Sequence, residues 1–205
     1  MPNRTKALLI AALAALALTV NVSSASAVVA KFASEKYPAT LTGTQTAPHT
    51  LETVAGKLEC KSATFSGILV AKSTTLTVTP AYATCTFVGA AATVAMNGCT
   101  YKFELGAMKG ENESTGGGLE IICPAGKEIV VTAGLCVMKI PASLESAGFV
   151  NTVNLAGGEF ELKVNIVVTY TLNNGCGKPE GKYELGKLLG NYKVKGNNGP
   201  VGVTE

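Results

Sequence analysis

The 205-residue chain predicts an all-β fold, a single antiparallel β-sandwich or barrel stabilised by three disulfides. Three observations carry this expectation. In Glu159–Leu172 every second residue is apolar: Phe160, Leu162, Val164, Ile166, Val168, Tyr170 and Leu172. Successive side chains of a strand point to opposite faces, so the run reads as one long strand with a single buried face. It is long for a small domain, and a bend or bulge is expected within it. The second observation is the recurrence of short alternating runs, punctuated by 23 Gly and 8 Pro, with no helical periodicity after residue 30. The third is an even set of cysteines, Cys60, Cys85, Cys99, Cys123, Cys136 and Cys176, none spaced as Cys-x-x-Cys. In an oxidising compartment such a set reads as three structural disulfides.

The compartment follows from the first 27 residues. Arg4 and Lys6 precede Ala7–Val20, a run of 14 residues without a charge, and Ala25-Ser26-Ala27 ends the segment as a small-x-small cleavage signal. A membrane span needs about 20 apolar residues, so 1–27 is expected to be a signal peptide rather than an anchor. The secreted part is then 28–205, one domain with no further membrane segment. It holds 15 Lys and 14 Glu, with no Asp, no Trp and no Arg. A balance so close to neutral gives no footprint for nucleic acid or an anionic membrane.

Along the mature chain, Val28–Tyr37 is expected to be a lead-in with one helical turn. Ala39–Thr46 reads as a threonine-rich edge strand, and Lys57–Val70 as a bent strand or two short ones, because its parity breaks near Ala63. Thr74–Thr79 reads as a strand stopped by Pro80, followed by Ala83–Val88. Asn97-Gly98 suits the positive φ angles of a type I′ turn, so Ala90–Met96 and Cys99–Leu105 are expected to fold as a hairpin. Gly106–Gly118 reads as a mobile glycine-rich loop, and Leu119–Cys123 as a strand. Further strands are expected at Glu128–Thr132 and Cys136–Ile140, and a short helical turn at Ala142–Ala147. After the long strand come two short ones, Gly181–Gly186 and Asn191–Gly196, and a frayed tail of nine residues. Two near-identical pentapeptides, 102–106 and 182–186, share no period with the rest and read as recurrent strand-end chemistry rather than a repeat.

Six cysteines allow 15 pairings. If 99–105 pairs with 119–123, Cys99 faces Cys123, Tyr101 faces Ile121 and Phe103 faces Leu119, which predicts Cys99–Cys123 at a separation a disulfide can bridge. Cys60–Cys85 is assigned next, since Leu58 and Phe87 place both cysteines on inward positions. Cys136–Cys176 remains. The competing arrangement is a Cys123–Cys136 bridge, which would send Cys99 elsewhere.

Several segments carry a resemblance: Tyr37-Pro38-Ala39-Thr40-Leu41-Thr42-Gly43, Cys60-x-x-Ala63-Thr64-Phe65-x-Gly67, Thr74–Pro80, Met96–Tyr101 and Cys123-Pro124-Ala125-Gly126. In this order they resemble uncharacterised secreted six-cysteine β-rich proteins of soil actinobacteria, over most of residues 37–140. The resemblance implies compartment and fold and brings no catalytic residue with it.

The chemistry-bearing residues are sparse. The only histidine, His49, lies in Gln45-Thr46-Ala47-Pro48-His49-Thr50 and reads as an exposed turn residue rather than a general base. No Gly-x-Ser-x-Gly, Ser-x-x-Lys or phosphate-binding loop is present. An Asp-free chain cannot supply a helical-hand calcium loop, and Glu111, Asn112 and Glu113 read as a solubilising segment. No cofactor and no metal ligand set is expected. Glu104, Glu159 and Glu161 fall on outward strand positions. Two functional classes remain: a non-enzymatic secreted structural or binding module of the cell envelope or its surroundings, and, alternatively, a glycan hydrolase using a pair of Glu carboxylates. A deep cleft with two buried Glu about 5–10 Å apart would favour the second.

Overall fold

A computed structural model describes residues 27–205, so the signal segment read over 1–27 lies, but for Ala27, outside the described residues. The described chain is built of strands: β1 Lys31–Ser34, β2 Ala39–Thr53, β3 Gly56–Leu69, β4 Thr75–Phe87, β5 Ala90–Ala95, β6 Thr100–Glu104, β7 Ala107–Met108 and β8 Glu113–Ile122. They continue as β9 Ile129–Ala133, β10 Cys136–Ile140, β11 Ser143–Leu155, β12 Glu159–Leu172, β13 Gly181–Gly196 and β14 Val201–Thr204, with one 3-10 turn at Asn174–Cys176.

Eight antiparallel staves close into a barrel. Five are single long strands, β2, β3, β4, β12 and β13. The other three are each made of two strands in line: β5 with β6, β8 with β9, and β10 with β11. Each stave pairs with its neighbours in the chain, and β13 pairs back onto β2. Closure removes the exposed edges that an open sheet would present. One half of the wall is completed by β6, β8 and β11 and the other by β5, β9 and β10. The first half carries the first and last strands, β1 and β14, which form a two-stranded ribbon across that end and bury Phe32, Val201 and Val203. The opposite end carries the turns at 54–55, 88–89 and 134–135 and the loop 173–180.

β12 is the long strand expected at 159–172. Its seven alternate apolar residues are all buried, and the expected irregularity falls between Val168 and Tyr170. β3 is one bent strand: Lys61 and Ser62 are both exposed while Cys60 and Ala63 are buried, so the parity reverses within it. Of the two all-β forms expected, the barrel is the one adopted.

Other local expectations are corrected. Asn97-Gly98 does not turn a hairpin. β5 and β6 both pair with β4, through Cys85↔Ala92 and Thr75↔Glu104, so they run in the same direction. From 85 to 75 is ten residues on β4, against twelve from 92 to 104 opposite. Asn97 (φ 51°) and Gly98 (φ 83°) make the excursion that absorbs the two extra residues. The Cys99 N–H donates to the Met96 carbonyl at 2.8 Å, so the tight turn forms, but as an excursion within one stave rather than between hairpin strands. The predicted inward set survives the change, because Cys99, Tyr101 and Phe103 are buried and Ala92, Val94 and Met96 pack against them.

Ala39–Thr46 is not an edge but part of a stave flanked by β3 and β13. Pro80 does not stop its strand. It faces Phe65 on β3, and on the other side of β4 the pairing with β6 ends at Val78 and that with β5 begins at Cys85, so the missing N–H interrupts no ladder there. The expected loop 106–118 holds β7 and the first half of β8, with Ser114 buried and bonded to Thr152 Oγ1 at 2.7 Å. From Ser143 the segment expected as a helical turn enters β11 instead, because β8 lies alongside and pairs with residues 143–145. The expected helical turn in the lead-in and the expected frayed tail are the two strands of the terminal ribbon. The two short strands expected at 181–186 and 191–196 form one, β13.

The disulfides link Cys60 with Cys85, Cys99 with Cys123 and Cys136 with Cys176, at Cα separations of 3.9, 4.1 and 4.3 Å. Cys60 and Cys85 are direct partners across β3 and β4. Tyr101↔Ile121 and Phe103↔Leu119 across β6 and β8 continue to Cys99 opposite Cys123. The third bond ties the start of β10 to the 3-10 turn.

Candidate functional site

The outer wall is polar. Among the described residues six lysine–glutamate pairs lie on it, including Lys102–Glu120 at 2.8 Å, Lys193–Glu159 at 3.1 Å and Lys163–Glu161 at 3.1 Å. An apolar interior and a charged exterior reverse the pattern of a lipid-embedded barrel. No glutamate with a described side chain is buried. Glu104 is exposed, and Glu159 and Glu161 engage lysines, as their outward strand positions imply.

The interior is filled. Eight staves leave a lumen that side chains can fill or that can hold one small ligand, and here aromatic and aliphatic residues occupy it. Phe65 packs on Tyr192 with ring centroids 4.2 Å apart and edge-on to Phe103 at 6.1 Å. Voids of about 10 Å³ lie within it, one wholly apolar around Leu41, Phe65 and Phe103 and one bordered by His49, Tyr82 and Tyr101. Each is about the volume of a single water sphere.

The second void marks a polar belt near mid-height. His49 is not in an exposed turn. It is 3% exposed, sits within β2 and faces Cys60 of β3. Its Nδ1 meets the Tyr192 hydroxyl of β13, and its ring lies 4.6 Å from that of Tyr82 of β4. The Tyr82 hydroxyl donates to that of Tyr101 on β6 at 3.1 Å. Burial depresses the His49 pKa from 6.5 to about 3, so the ring is neutral, and burial pushes the Tyr101 phenol up to about 12. Tyr82 and Tyr192 are raised as well, burial being the main cause in both.

Sequence reasoning missed this belt. The Ala47-Pro48 pair next to His49 suggests a turn, but β2 passes through it as a bulge. Its register shifts between Thr44 and His49 against β3, and twice between Gln45 and Thr50 against β13. The available signal was parity: His49 shares the odd positions of Leu41, Gly43 and Leu51, all of them inward.

Concavities on the outside are open. One, about 420 Å³, lies between the terminal ribbon and the β11–β12 turn and is bordered by Ser34, Glu35, Asn154 and Glu159. A groove of about 400 Å³ beside the 173–180 loop is bordered by Lys139, Asn173, Glu180 and Lys182. A crevice of about 260 Å³ lies over the β2 bulge, at Gln45, Thr46, Ala47, Pro48 and Lys61. Among the described residues no group of three or more His, Cys, Asp or Glu is placed to hold a metal ion. Glu111 and Asn112 are exposed near the terminal end, where the Asn112 carbonyl accepts from the Asn154 N–H. No family model, curated protein or solved structure matches the chain.

Proposed function

We infer that this is a secreted, non-enzymatic structural or binding module, working through its outer surface on the cell envelope or its surroundings. The observation that carries the reading is a barrel whose lumen is filled to within the volume of a water while its concavities are shallow and open. Three disulfides suit an oxidising compartment, and the 1–27 signal pattern and the resemblance to secreted actinobacterial proteins point the same way. The pair of glutamates that a hydrolase reading would draw on is Glu35 and Glu159, which border the groove of about 420 Å³. That groove is open to water and Glu159 is engaged by Lys193, whereas a glycosidase acid works from a dry, apolar setting.

Sedimentation of the mature protein with purified envelope and with insoluble cell-wall glycan tests the reading. Co-sedimentation without release of reducing sugar is expected. Release of reducing ends that is abolished by Glu35→Gln or Glu159→Gln would replace the module with the hydrolase. The intact mass of exported protein should begin at Val28, and a species retaining Ala7–Val20 would contradict the signal-peptide reading.

A further inference from the structure

Every stave of the barrel is irregular near its middle. β2 carries the bulge at 45–48, and β3 and β4 expose the doublets Lys61-Ser62 and Ala83-Thr84, with Thr84 at φ 53°. Three staves break where β5 passes to β6, β8 to β9 and β10 to β11. β12 exchanges β11 for β10 between Ile166 and Thr171, and β13 shifts register against β2 near Asn191. Backbone pairing is thinnest at this waist, and the polar belt of His49, Tyr192, Tyr82 and Tyr101 lies inside it.

The groups that face His49 are few. β13 contributes Tyr192, β4 Tyr82 and β6 Tyr101. β3 contributes Cys60, held in its disulfide, and β9 and β10 contribute Ile129, Val131 and Ile140. No carboxylate is among them. The charged residues that flank Cys60 on β3, Glu59 and Lys61, sit on outward positions, Glu59 paired with Lys57 at 2.7 Å and Lys61 on the outer crevice over the bulge. Gln45 joins the two sides. Its Nε2 donates to the Cys60 carbonyl at 3.2 Å, its Oε1 is buried without a partner, and it also borders the crevice.

The geometry points to His49 as an acid-responsive latch: a proton on its ring breaks the contact with Tyr192, finds no counter-charge, and loosens the barrel at its waist from the Gln45–Pro48 bulge. A neutral imidazole accepts the Tyr192 hydroxyl proton at Nδ1, whereas the protonated ring has two N–H donors and no acceptor. The Tyr192 oxygen would have to turn from donor to acceptor, with Tyr82 packed beside it. Water entering past Gln45 is the solvent that can accommodate the charge.

The sign of the pH dependence follows from linkage. The folded-state pKa of about 3 lies below the unfolded value of 6.5, so below about pH 6.5 the unfolded chain binds more protons and stability falls as pH falls, until the folded ring titrates near 3. The folding constant should drop roughly 25-fold at pH 5 and roughly 200-fold at pH 4, relative to pH 7, from this residue alone.

The test is urea unfolding at pH 7, 5 and 4 with the disulfides intact, followed by tyrosine emission, for the wild type and His49→Gln. No tryptophan obscures that signal, and the belt holds three of the six tyrosines. The wild type should lose roughly 25-fold more than His49→Gln between pH 7 and pH 5. Equal losses in the two proteins overturn the proposal. Because His49→Gln could fail to fold, proton NMR of the untagged wild type provides an independent measure. It has one histidine, so one imidazole signal needs no assignment. That signal should stay at its neutral position as pH falls to about 4, while amide exchange rises in 44–50 and 189–193 beyond the intrinsic pH effect. A free titration near 6.5, or exchange unchanged at the bulge, overturns it.

Discussion

The two halves of the barrel are held together by different means. In the half near the termini the completing ladders are long: four residue pairs join β4 to β6, five join β6 to β8 and eight join β11 to β12. Its core is apolar, with Phe32, Phe65, Phe103 and Phe160 among the buried rings, and the β1–β14 ribbon covers its open end. In the half near the turns three of the completing ladders are short, with three pairs from β4 to β5, three from β5 to β9 and two from β10 to β12, while five join β9 to β10. There Cys60–Cys85 crosses from β3 to β4 and Cys136–Cys176 fastens the loop after β12, with Cys99–Cys123 at the seam. No bridge lies at the ribbon-covered end, and the three bridges lie at the waist or toward the turns, Cys60–Cys85 within the β3–β4 ladder and Cys99–Cys123 continuing that of β6 and β8. A disulfide acts largely by restricting the unfolded chain, so it supplies stability without needing more core.

That comparison can be broken most forcefully by reduction. Chain-entropy arguments give about 3.5–4 kcal/mol for each bridge at the loop lengths present, 24 to 40 residues of separation. Under reducing conditions 90–95 and 129–140 should lose amide protection before 143–155 and 159–168. Simultaneous loss in hydrogen-exchange mass spectrometry would show that the halves unfold as one and that the bridges serve both.

Phe103→Ala addresses the other half. The ring is 1% exposed, edge-on to Phe65 and Tyr101, and its removal should cost about 3–5 kcal/mol in urea unfolding with the bridges intact. A cost below about 1 kcal/mol would mean that the terminal half is not sustained by its packing.

The smallest effect should come from Asn154→Ala. The Asn154 amide accepts from Val203 N–H at 2.7 Å and donates to the Val203 carbonyl at 2.8 Å, completing the outer edge of β14 as a neighbouring strand would. Losing both bonds at a partly solvated edge should cost about 1–2 kcal/mol and raise exchange in 201–204 alone. Exchange spreading to β12 would show that the ribbon supports the barrel rather than merely covering it.

Much of this was legible in the chain. The period-two pattern of 159–172, the inward set Cys99, Tyr101 and Phe103, and the facing of Cys99 with Cys123 are properties of a strand and its nearest partner, and alternation reports them directly. Even the mistaken hairpin kept the correct face, since a strand that continues through a two-residue excursion preserves parity as a turn would. The six cysteines and the Lys and Glu on outward positions likewise followed from local pattern and compartment.

What tertiary structure alone decided is which strand each of these faces meets. Asn97 and Gly98 form their tight turn locally, and only β4, lying along both β5 and β6, makes it an excursion in one stave rather than the end of a hairpin. Pro48 and Pro80 read as breaks because proline lacks an N–H, yet each sits where the wall leaves a neighbouring position unpaired. His49 is buried because β2 is flanked on both sides once β13 returns to close the barrel, a pairing between residues more than 130 positions apart. Alternation is set by the geometry of one chain segment, whereas closure depends on contacts between distant segments, and no local pattern encodes it.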